Sequence, residues 1–257
     1  MLEVADVDAA RGGRTLLRGL SFHLAAGERL AVIGPNGAGK SSLLHTLIGD
    51  HAPARGDIRI GGRPLTALGD RERACRLALL PQASTLDFPF TVDEVVALGR
   101  TPHASGAVAD RAVIEAVCAA TDIDHLRRRL YPRLSGGEKQ RVQLARVLAQ
   151  IWRPEDAGER LLLLDEPVAA LDIGHQALVM DRIAAFAAGG AAVVVVLHDI
   201  SLAARHADRM LALRDGAAVA QGVPADVVTV DTMRRLFDAD ACVMTHPRTH
   251  TPVVLHG

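Results

Sequence analysis

The chain has 257 residues, a length that suits one α/β domain with a subdomain, and its 49% hydrophobic content supplies a sizeable core. A formal net charge of -1 with an isoelectric point near 6.8 leaves no basic footprint for nucleic acid. Met1 to Ala10 carries three acidic residues and no apolar stretch, which argues against a secretory signal, and the longest aliphatic run, Ala191 to Leu197, is too short to cross a bilayer.

Any membrane role is therefore expected to come through a partner. Cys75, Cys118 and Cys242 show neither paired nor metal-like spacing and are expected to be reduced core thiols. Leu2 to Val7 alternates apolar and polar residues, and Leu20 to Leu24 does so less cleanly, which predicts two strands with one buried face. Arg29 to Ile33 is a tight apolar strand that runs into a glycine-rich turn. Lys40 to Gly49 follows as a helix with Leu43, Leu44, Leu47 and Ile48 on one face, and Asp57 to Ile60 is a strand closed by Gly61-Gly62.

From about Ser84 to Gln150 helical patterns dominate, at Arg111 to Thr121 and Gly137 to Gln150, with loops at Phe88-Pro89 and Thr101 to Gly106. Continuous apolar runs return at Leu161 to Leu164 and Ala191 to Leu197, as in a parallel sheet covered on both faces. Arg209 to Arg214, an Asp215-Gly216 turn and Ala217 to Ala220 predict a hairpin, and Pro224 to Phe237 a helix. His246, His250 and His256 fall in a proline-broken tail and are expected to be solvated.

Three motifs carry chemistry. Gly34-Pro35-Asn36-Gly37-Ala38-Gly39-Lys40-Ser41 satisfies the P-loop pattern between a predicted strand and helix, with Ser42 next in the same nucleotide-contacting run. Its glycines let several N–H groups aim at phosphate, Lys40 adds a charge for the β- and γ-phosphates of ATP, and Ser41 an oxygen for Mg²⁺. Asp165 ends the buried run Leu161 to Leu164, placed to hold Mg²⁺ through its water shell, and Glu166 can orient and polarise the attacking water. Ser135-Gly136-Gly137, opening a helix, makes a second anion-binding N-terminus. One ATP does not need two cradles, so the second serves another nucleotide, or the same one from its other side.

With Leu134 to Gln140 the chain resembles the ATP-binding cassette family, whose signature this heptapeptide matches. The resemblance covers nearly the whole chain. It implies a P-loop NTPase fold with a mainly parallel core sheet, an N-terminal antiparallel β subdomain and a helical signature subdomain, divided as 1–83 with 151–257 and 84–150. It implies a homodimer joined head to tail, each signature capping the γ-phosphate on the partner's P-loop. Residue by residue, Gln82 matches the glutamine that senses Mg²⁺ and water. Asp172, in Ala170-Leu171-Asp172, matches the loop that crosses the dimer interface, and His198 the histidine that contacts the γ-phosphate. Two departures stand out: no aromatic lies near Arg11 to stack on adenine, where a guanidinium can stack instead, and Val168-Ala169 replaces a hydroxyl residue after Asp-Glu-Pro.

Phe90 to Arg100 resembles the iron-chelate and cobalamin importer branch. Ala149 to Trp152, the charged insert to Arg160 and Ala170 to Gln176 are similar to ATP-binding subunits of haem importers. That implies a transmembrane permease dimer, a periplasmic haem-binding protein reached indirectly, and a peripheral place on the cytoplasmic face of a bacterial inner membrane. Siderophore or cobalamin import is the near alternative, and a soluble cassette ATPase of translation or DNA repair the distant one. Leu86 to Arg100 is the expected permease contact, with Phe88 and Phe90, two of only five phenylalanines, as partner-facing anchors or as a local mini-core.

Overall fold

The computed structural model describes residues 1–82, 86 and 88–256. The expected division at 83/84 and Asp87 of the expected docking segment lie outside the described residues. Strands β1 (Leu2–Arg11) and β2 (Arg14–Leu24) form one long hairpin closed by Gly12-Gly13, whose φ values of 56° and 78° suit a type I′ turn. The two short strands predicted from sequence are parts of it. Next come β3 (Arg29–Ile33), α1 (Lys40–Ile48), β4 (Arg55–Ile60) and β5 (Arg63–Pro64). The first sheet is antiparallel with order β2-β1-β4-β5.

The chain continues through α2 (Asp70–Arg76), β6 (Leu77–Leu80), α3 (Val92–Ala97), α4 (Ala107–Ala120), α5 (Gly136–Gln150) and α6 (Pro154–Ala157). It then forms β7 (Leu161–Asp165), α7 (Ile173–Ala188), β8 (Ala192–Val196), α8 (Ile200–His206), β9 (Arg209–Arg214) and β10 (Ala217–Gly222). The second sheet has order β10-β9-β3-β8-β7-β6, parallel except for the terminal β10. Its strands alternate between two cores. Leu30, Val32, Leu161, Leu163, Val194 and Val196 pack with α1 and the antiparallel sheet. Ala31, Ile33, Leu162, Leu164, Val193 and Val195 pack with the helices of the other face. Both faces are covered, so these strands carry no polar alternation.

Pro224 to Phe237 is two helices rather than one. α9 (Pro224–Val227) stops before Thr229, whose hydroxyl accepts the Thr232 N–H at 3.1 Å and so starts α10 (Val230–Phe237). The proline-broken tail forms a hairpin of β11 (Ala241–Thr245) and β12 (Pro252–His256), held to α8 where the Val254 N–H donates to Ser201 Oγ at 3.1 Å. At its turn, His246 Nδ1 accepts the backbone N–H groups of Arg248 and Thr249. Among the described residues no helix is long and apolar enough to cross a membrane.

The charged insert before β7 has a structural anchor. Arg160 is 4% exposed and donates to the carbonyls of Trp152 at 2.7 Å, Ile151 at 3.2 Å and Gly189 at 2.6 Å. Its guanidinium lies 4.9 Å from the Phe186 ring centroid. Arg160→Ala strands three carbonyls and should cost about 2–4 kcal/mol, read as an earlier urea midpoint with an unchanged slope. A midpoint equal to that of the parent chain would show that water replaces all three bonds.

Candidate active site

The P-loop leaves β3 between β9 and β8, the two parallel neighbours that hold its start. Gly34 has φ 148°, and a Cβ there would collide with the Leu213 carbonyl; Gly39 has φ 101°, and a Cβ would stand 2.8 Å from the Leu16 carbonyl. No other residue type fits these two approaches. Lys40 is 7% exposed, and its Nζ donates to the carbonyls of Gly34 at 2.7 Å and Pro35 at 2.9 Å, which holds the ammonium inside the loop. Burial pulls its pKa down, against the raising charges of Glu166 and Asp165.

Asp165 is 5% exposed at the carboxyl end of β7. Burial pushes its carboxyl above the usual range, and the neighbouring Ser41 hydroxyl pulls the other way. Its Oδ1 is buried with no hydrogen-bond partner among the described residues. Glu166 follows with φ 53°, a left-handed conformation that costs free energy in a non-glycine residue and is found where function needs it. Its N–H donates to the Val196 carbonyl at 3.1 Å, which ties it to the end of β8. Two residues beyond β8, His198 Nε2 lies 2.5 Å from Glu166 Oε1.

Lys40, Glu166 and His198 share a cleft of about 710 Å³ lined by Asn36 to Ser42, Gln82, Glu166 and His198, and the buried Asp165 is not among the residues that line it. Ser135, Gly136 and Gly137 do not line it. Ser135 instead caps α5, its Oγ accepting the Glu138 N–H at 3.3 Å while its own N–H donates to Glu138 Oε2 at 2.7 Å. Ser135 and Gly136 are exposed, so this helix end is accessible, yet it belongs to a different surface from the cleft. The Gln140 side chain links the two: its Nε2 donates to the Pro167 carbonyl at 3.2 Å, next to Glu166.

A family model described as ABC transporter matches residues 17–169, more than half of the chain. The chain belongs to the ABC transporter family. It is 50% identical over 257 residues to the "Hemin import ATP-binding protein HmuV" of Gloeobacter violaceus, a match spanning 99% of this chain and 94% of that protein. Among solved structures it is similar to an inward-facing metal-chelate type ABC transporter, with TM-score 0.81, 26% identity, and coverage of 99% of this chain and 97% of that one. It is also similar to a dimeric ATP-binding cassette in a post-hydrolysis state bound to ADP and Pi, with TM-score 0.75, 25% identity, and coverage of 87% and 98%.

In this ABC cassette several expected residues find specific places. Arg11 does not line the cleft; Arg14, Thr15, Leu16 and Arg18 of β2 do, together with Asp215 and Gly216. The base-facing guanidinium is therefore sought at Arg14 or Arg18. Arg11 pairs with Arg14 across the Gly12-Gly13 turn without lining the cleft, and the Gly216 N–H, donating to the Ala38 carbonyl at 2.9 Å, brings the Asp215 turn to the P-loop. Asp172, expected at the dimer interface, does not line the cleft and caps α7: its Oδ1 accepts the His175 N–H at 2.9 Å. Arg100 is no surface contact. It is 4% exposed, pairs with Asp110 and Asp156 at 2.9 Å each, and donates to the Ala149 carbonyl at 2.8 Å. Phe88 and Phe90 split the two readings offered for them. Phe88 is 68% exposed, while Phe90 is half-buried on the core, with ring centroids 6.0 Å apart.

Proposed function

We propose that the chain is the ATP-hydrolysing subunit of a hemin importer, working as one of two copies that close on ATP. The observation that carries the hydrolytic reading is the Glu166–His198 pair, 2.5 Å apart, across one cleft from Lys40 and Ser41. The P-loop N–H groups and Lys40 bind the phosphates; Lys40 exchanges its carbonyl partners for phosphate oxygens. Glu166, fixed by its strained backbone and by His198, accepts a hydrogen bond from the attacking water and orients it in line with the leaving group. His198 holds the carboxylate and faces the γ-phosphate, and Gln82, which lines the same cleft, senses the same water.

Asp165 Oδ1, beside Ser41 and without a partner among the described residues, fits a small hard cation that keeps phosphate and water among its ligands. Ser41, Asp165 and Gln82 would hold Mg²⁺, which supplies positive charge to the phosphate oxygens. The exposed Ser135 end of α5, outside its own cleft, caps the nucleotide of the second copy with Gly136 and Gly137. Asp172 stands at the same interface. Hemin as cargo rests on full-length similarity to a protein named for hemin import. The transmembrane permease dimer, a periplasmic haem-binding protein and a place on the cytoplasmic face of an inner membrane follow from that role.

The test is ATP hydrolysis in vesicles that hold the subunit with its permease, with binding protein loaded with hemin, a ferric siderophore or cobalamin. Stimulation by hemin alone is the expected result; stimulation by either other cargo instead reassigns the importer. Phe88 is the exposed anchor for the permease, so Phe88→Ala should lower hemin-stimulated hydrolysis by about five- to tenfold and leave basal hydrolysis of the isolated subunit unchanged. Equal stimulation of the variant and the parent would move the docking surface elsewhere.

A further inference from the structure

Glu138 is the one acidic residue in the first turn of α5. For the fold this is favourable, because a carboxylate at this position completes the capping box and complements the helix dipole. For phosphate capture it is adverse. Its Oε2 already occupies the Ser135 N–H, and the backbone bond from Ser135 holds its carboxyl below the usual range, so it stays ionised at neutral pH. A helix end carrying that charge repels a second anion.

The structure supplies a counter-charge. Arg129 Nη1 lies 2.9 Å from Glu138 Oε1, on the oxygen that does not serve the cap. The guanidinium is delivered from a pinned segment: the Arg129 N–H donates to the Leu126 carbonyl at 2.8 Å, and its own carbonyl accepts the Val92 N–H at 3.0 Å, at the start of α3. Two nearby cations are engaged elsewhere, Arg127 with Asp93 at 2.6 Å and Lys139 over the Tyr131 ring at 5.8 Å. The pair is partly exposed, with side chains 48% and 21% accessible, and pairs of this kind add little to folding. Its effect falls on the potential at the helix end.

We propose that Arg129 is a positioning residue for phosphate capture, cancelling the charge of Glu138 so that the Ser135 end of α5 accepts the γ-phosphate of ATP on the partner copy. This rests on the reading that α5 caps the second copy's nucleotide. Glutamine at 138 keeps the capping box without the charge, so the proposal demands a specific rescue.

The experiment measures hydrolysis against ATP concentration in the full-length subunit, with binding of a fluorescent ATP analogue to the isolated monomer alongside. Arg129→Ala should raise the ATP concentration for half-maximal hydrolysis about tenfold and lower the maximal rate less than about threefold, with monomer binding unmoved. Adding Glu138→Gln to the same chain should return that concentration to within about twofold of the parent, a recovery that a packing role for Arg129 would not give. If Arg129→Ala does not fold, Arg129→Gln takes its place with the same expectations. Parent-like hydrolysis in the single variant, or no recovery in the double variant, overturns the proposal. Failure of the underlying trans reading would show separately, as Ser135→Arg leaving hydrolysis intact.

Discussion

Glu166→Gln should bind ATP as the parent chain does and lose about a thousandfold of its turnover, the scale set by removing a positioned proton acceptor. The phosphate contacts of Lys40 and the P-loop are untouched, and glutamine still reaches His198 Nε2 from the same left-handed backbone. What is lost is the charge that polarises water. With ATP bound and not consumed, the variant should accumulate as a closed dimer, seen in gel filtration as a doubling of mass that ADP does not produce. Hydrolysis within a few-fold of the parent would remove Glu166 from this role.

Ser135→Arg should lower hydrolysis at least about a hundredfold, the loss expected when donors aimed at a reacting phosphate are displaced. Binding of a nucleotide to the isolated subunit should not change, because Ser135 lies outside the cleft that holds Lys40 and Ser41. Loss of the Ser135 cap costs only about 1 kcal/mol of a typical 5–15 kcal/mol stability, so unfolding cannot account for the effect. A melt of the variant within a few degrees of the parent secures that point.

How much of this was legible depends on how local each signal is. The P-loop and Asp165-Glu166 lie at the ends of fully buried strands, and a run such as Leu161 to Leu164 announces such a strand without any knowledge of its neighbours. The β1–β2 hairpin was harder to see. Register shifts between Val4 and Val7 and between Val7 and Ala9, with Asp6 at φ 49°, break the period-two pattern, so the alternation at Leu2 to Val7 and at Leu20 to Leu24 does not carry through the hairpin. The cleft wall was not legible at all. Arg14 and Arg18 reach the P-loop only because Gly216 accepts the Arg18 N–H at 2.9 Å and donates to Ala38, a contact between segments almost 200 positions apart. Arg100 reads as a surface charge until Asp110 and Asp156 close on it. Phe88 and Phe90 flank Pro89 in a tight turn, the Phe90 N–H donating to the Phe88 carbonyl at 2.8 Å, and the core that takes the second is long-range.

Mixing two inactive subunits tests the shared site most directly. Lys40→Ala disables a P-loop and Ser135→Arg a cap, so in their heterodimer one composite site carries both defects and the other is assembled from intact halves. With heterodimers proven by differential tags, the mixture should hydrolyse ATP well above either variant alone. No recovery in those heterodimers would contradict a site completed by the partner copy.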